Sequence, residues 1–101
     1  MNKYKNEYLQ KFKKRIKDIE NDIQKNEKHI NDLNIHVIFL KYLLDEMKNK
    51  NINVKVITKY DDFESKSKYM LNVIKEIQND NIKLYEEIKV FRELINILEQ
   101  K

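Results

Sequence analysis

From Leu9 to Met47 the apolar residues advance by alternating threes and fours: Leu9, Phe12, Ile16, Ile19, Ile23, a polar break at Asn26, then Ile30, Leu33, Val37, Leu40, Leu44 and Met47. A second series repeats the step through Phe63, Ser67, Met70, Ile74, Ile77, Asn81, Leu84, Ile88, Phe91, Ile95 and Leu98. A 3.5-residue repeat held over this length keeps one seam turned toward a partner helix, which specifies a coiled coil and not an ordinary surface helix. The chain holds no Gly, Pro, Cys, Trp or Ala, so tight turns, disulfides and thiol chemistry have no material to work with.

The two series are out of phase. Carried past Met47, the first seam would fall on Asn51, Val54, Thr58 and Asp61, whereas the second includes Tyr60 and Phe63. One continuous helix is therefore disfavoured, and the break falls near 48–59. There Asn49, Asn51 and Asn53 are poor helix formers and Ile52, Val54, Val56 and Ile57 are β-branched. The expectation is helix 1 over about 4–48, an extended connection over about 49–60, and helix 2 over about 61–100. Asp61 or Asp62 is placed to cap the second helix, with Glu64 in its first turn. The 101 residues make one domain at most.

If the chain folds back, the seams oppose each other antiparallel: Leu44 with Phe63, Val37 with Met70, Ile30 with Ile77, Ile23 with Leu84, Ile16 with Phe91 and Leu9 with Leu98. The same register brings Asn26 against Asn81, the only amide in each seam. A slip of one heptad would bury an unpaired amide at a cost of about 1–3 kcal/mol, so the pair reads as a register pin. The fold class is all-α, an antiparallel two-helix coiled-coil hairpin. One stripe per helix buries little surface for a chain this short, which points to association into a four-helix bundle or a higher oligomer.

Surface for that association is visible. Opposite the first seam, Ile35, Ile38, Phe39 and Tyr42 recur at helical spacing with Leu43 beside them, and Tyr69 and Val73 lie at the same end of the second helix. Five apolar residues within nine positions on a helix already apolar along its seam mark a contact patch. Val90, Leu94 and Ile97 form a further strip near the C-terminus.

Candidates for chemistry are few. His29 and His36 are seven residues apart, about 10.5 Å along a helix, too far to share one metal ion. Asp61, Asp62 and Glu64 read as helix-capping acids, and Glu86 and Glu87 diverge as solvated charges. No phosphate-cradling loop, nucleophile motif or zinc spacing is present. The reading is a non-enzymatic protein with no cofactor and no metal.

Charge is uneven. Lys3, Lys5, Lys11, Lys13, Lys14, Arg15 and Lys17 face only Glu7 within the first 17 residues. Interleaved with Tyr4, Tyr8 and Phe12, these cations suit phosphate contacts with base stacking, or an anionic surface. Lys11, Lys13, Lys14, Arg15 and Lys17 are the candidate anion-binding group. The competing expectation has them solvated, or paired to Glu93 and Glu99 across the hairpin. The abundance of Lys, Asn and Ile, against scarce Arg and absent Gly, Ala and Pro, matches an AT-rich genome, which supplies basic runs without function.

The leading expectation is a structural or protein–protein interaction protein that forms a homo-oligomer, a dimer first of all, or docks on another protein. The runner-up is a small nucleic-acid-binding or regulatory protein using the basic N-terminal helix, and a third is an inhibitor that occludes a larger partner. The longest apolar run, Val37 to Leu40, is far short of the roughly 20 residues of a membrane span. The start of the chain lacks a secretory segment, and Asn2 stands where myristoylation needs glycine. The expected location is intracellular and cytoplasmic.

Overall fold

The computed structural model describes residues 2–51 and 62–100. Two helices, α1 (Asn2–Asn49) and α2 (Phe63–Glu99), pack against each other as a hairpin, and no strand occurs among the described residues. Of the extended connection expected over about 49–60, Asn49 is the last residue of α1 and residues 50–51 form a turn, while the rest, with the alternative cap Asp61, lies outside the described residues.

Every seam position that falls on α1 or α2 is buried or half-buried. Writing Leu9 and Phe12 as positions a and d of a heptad, and Ser67 and Met70 likewise on α2, the seam holds its phase to the end of each helix. Helix α1 runs further than 4–48 because nothing breaks it: Asn2 is already helical, and Lys48 in the last turn complements the helix dipole. Its end is made without glycine. The Lys50 amide donates to the Glu46 carbonyl at 3.0 Å, and the Asn51 amide donates to the Lys48 carbonyl at 3.2 Å. Asn51 adopts φ 55°, the left-handed conformation that asparagine tolerates best after glycine.

Helix α2 begins at Phe63 instead of Asp61 because Asp62 is its cap. The Ser65 amide donates to Asp62 Oδ1 at 3.0 Å and the Ser65 hydroxyl to Asp62 Oδ2 at 2.6 Å. These bonds, the side-chain one first, hold the Asp62 carboxyl below the usual carboxylate range.

The chain divides into two compact units: Met1–Glu27 with Asn79–Lys101, here the termini unit, and Lys28–Gln78, the middle unit. The core of the termini unit is Ile19, Ile23 and Ile88, with Ile16, Leu84 and Phe91 packed against it. These are the seam partners expected for Ile16 with Phe91 and Ile23 with Leu84, joined by the Ile19–Ile88 layer between them. Phe12 stacks obliquely on Phe91, with ring centroids 5.6 Å apart. In the middle unit the buried seam residues are Leu40, Met47, Met70 and Ile74. Ser67 occupies a seam position there with its Oγ buried and without a hydrogen-bond partner.

Candidate register pair and interaction surface

The two seam amides meet: Asn26 Nδ2 donates to Asn81 Oδ1 at 2.8 Å. Asn81 is the one buried polar residue among the described residues, at 8% exposure, so this bond satisfies a group that water reaches poorly. Positions a and d place both side chains in the seam, beside the layer in which Ile23 and Leu84 pack.

The flanks of the termini unit carry charge beside Tyr8, Tyr85 and Leu94. Position e meets position e: Lys13 Nζ lies 3.4 Å from Glu99 Oε1, and Arg92 Nη2 lies 3.8 Å from Glu20 Oε1. Position g meets position g, where Arg15 donates from Nη2 to Glu87 Oε1 at 2.9 Å and from Nε at 3.3 Å. All are solvent-exposed and worth about 0–1 kcal/mol each, so they choose register more than they add stability. The expected partner Glu99 is found. Glu93 is not used: it sits at position f, one step past the e position of Arg92, and Arg15 takes Glu87 instead.

The cations 11–17 therefore do not form one free group. Lys13 and Arg15 turn to the seam flanks, Lys11 places its Nζ 5.4 Å from the Tyr8 ring centroid, and Lys14 and Lys17 are exposed. His29 and His36 are exposed, and among the described residues no three acidic, histidine or cysteine side chains are grouped to hold a metal ion.

On the middle unit the flanks are different. Its e and g positions carry His29, Asn34, His36, Lys41, Leu43, Lys48, Glu64, Lys66, Leu71, Val73 and Gln78, and no ion pair joins α1 to α2 among its described residues. The outer positions of α1 present Ile35, Ile38, Phe39 and Tyr42, exposed by 58, 68, 53 and 58%. Leu43 and Val73 are half-buried on the flanks, and Tyr69 is 69% exposed on α2. The heptad phases place Phe39 and Leu43 on the same flank as Tyr69 and Val73, so the apolar surface continues from one helix toward the other. Heptad lettering of both helices was the signal that would have found the charged flanks.

No described helix is long and apolar enough to cross a membrane. No protein-family model, curated protein or solved structure matches the chain.

Proposed function

We propose that the chain is a non-enzymatic interaction module, a helical hairpin that docks on another protein surface through the outer face of α1 in its middle unit. The observation that carries this reading is the run of large apolar side chains, each more than half exposed, from Ile35 to Tyr42. A monomeric soluble protein rarely leaves so many together, because each fully buried Ile, Phe or Leu contributes about 1.5–3 kcal/mol. The same helix shows the contrast: from Glu7 to Lys25 every outer position is polar. Hairpin closure cannot cover the patch, since the seam lies on the other side of α1.

The test compares wild type with Phe39→Glu by light scattering on purified protein and by the proteins that co-purify from cells. The reading expects the variant to keep its helicity and lose an association present in wild type, either with itself or with a recurrent partner. Equal mass and identical co-purifying proteins for both would overturn it.

A further inference from the structure

Resting on the docking reading, we infer that the occupant of this face is a second copy of the chain, with α1 packed antiparallel on α1 about a twofold axis near His36 and Val37. The area is of the right order. Four side chains of that face exposed by 53–68%, each of about 200 Å² when free, present roughly 470 Å² per copy. A standard stable interface buries about 800 Å² per partner, and the polar rim supplies the remainder.

The charges on the outer positions choose the partner and its direction. Walking along that face, Lys28 stands at one end, Asn31 and Asp32 follow, then Ile35, Ile38, Phe39 and Tyr42, with Asp45 and Glu46 at the other end. Lys28, Asp32 and Asp45 are exposed, and none of these charges is in an ion pair among the described residues. An antiparallel copy brings Lys28 against Asp45 and Glu46 of the second copy and Ile35 against its Ile38 and Phe39. Asp32 then faces the Tyr42 phenol of the second copy, which donates to the carboxylate. Twofold symmetry makes each of these contacts twice.

The alternatives are charge-frustrated. Parallel packing sets Lys28 against Lys28 and Asp45 against Asp45. An antiparallel slip of about half a heptad, which matches Ile35 with Tyr42, brings Asp32 against Asp45 of the second copy. Like charges placed directly opposite disfavour both. Two hairpins joined in the inferred way form a four-helix bundle.

Sedimentation of the full chain over a range of about 1–100 µM reads the equilibrium. Wild type is expected to dimerise in the micromolar range, and Lys28→Glu and Asp45→Lys are each expected to weaken dimerisation by about tenfold. Mixing the two variants is expected to restore dimerisation to within about threefold of wild type, because in the mixed dimer both end contacts again join opposite charges. These surface substitutions lie off the seam, so the result does not depend on a core change being tolerated. Indifference to either reversal, or failure of the mixture to recover, would overturn the antiparallel second copy. A wild type that stays monomeric at about 100 µM would overturn it too, while a partner lost by Phe39→Glu would leave the docking reading standing.

Discussion

The termini unit and the middle unit each pack α1 on α2 along a heptad seam, and they differ in what surrounds it. In the termini unit the buried seam is built on isoleucine, with Ile19 fully buried between the Phe12–Phe91 contact and the Asn26–Asn81 bond, and its borders pair Lys13 with Glu99, Glu20 with Arg92 and Arg15 with Glu87. The middle unit has two methionines among its buried residues, an unpartnered Ser67 hydroxyl, and Leu43, Leu71 and Val73 among its flank residues. Methionine is flexible and adapts to irregular gaps where branched isoleucine is stiff. A heptad seam states that two helices meet. The units differ most on α1: its outer positions are polar from Glu7 to Lys25 and apolar at Ile35, Ile38, Phe39 and Tyr42.

The largest effect belongs to the termini unit. Ile19→Ala opens a cavity at a position with no solvent exposure and is expected to cost about 2–5 kcal/mol in chemical denaturation. Ile38→Ala, on the same helix, is expected to change monomer stability by less than about 0.5 kcal/mol. At concentrations where the protein associates, Ile38→Ala should lower the melting temperature and make it less concentration-dependent. A concentration-independent loss of about 2 kcal/mol or more from Ile38→Ala would break the comparison, since Ile38 would then belong to the monomer core.

Next in size is the amide pair. Asn26→Leu alone leaves the buried Asn81 amide without its partner and is expected to destabilise by about 1–3 kcal/mol. Changing both to Leu should raise the melting temperature while loosening register or oligomeric state, as removal of a buried polar pin does in other coiled coils. Distances between spin labels on α1 and α2 of the termini unit read the register directly. A double variant with a single, unbroadened distance would show that the flanking ion pairs hold register without the amides.

In the middle unit, Ser67→Ala removes a buried hydroxyl that bonds to nothing and adds helix propensity, so a gain of about 1 kcal/mol is expected by denaturant titration. A loss would mean that the hydroxyl is hydrogen-bonded in solution. This substitution separates the units from the opposite side, because stability is gained in the unit whose seam is less well satisfied.

Much of the fold was legible because a 3.5-residue repeat leaves little freedom. Phase fixes which residues enter the seam, the phase jump places the break near 48–59, at whose start α1 ends on Asn49, and the single amide in each seam selects a register in which Asn26 and Asn81 bond. The ion pairs were less legible. Glu93 and Glu99 looked equivalent as nearby acids, yet Glu99 is at e and Glu93 at f, and only a flank position reaches across the seam. The candidate surface was legible as composition, from Ile35 to Leu43, while its exposure depends on which side α1 turns to its partner. That no hydrogen bond reaches Ser67 depends on packing between helices, and no spacing along one chain encodes it.

The smallest effect tests the start of α2, inside the middle unit. Asp62 accepts from the Ser65 hydroxyl and the Ser65 amide, and both bonds favour the ionised carboxyl, so its folded pKa lies below its unfolded one. A depressed acid stabilises the fold above its unfolded pKa, and that contribution fades as pH falls through the folded value. The first turn of α2 should therefore fray in acid, reported by faster exchange of the Ser65 amide, while the Ile19–Ile88 core stays protected. Asp62→Asn should keep the cap and remove the pH dependence, and Asp62→Ala should fray at every pH. Asparagine behaving like alanine would show that the charge, through the dipole of α2, matters more than the hydrogen bonds. Acid fraying that spread to the termini unit at the same pH would mean that the two units unfold as one.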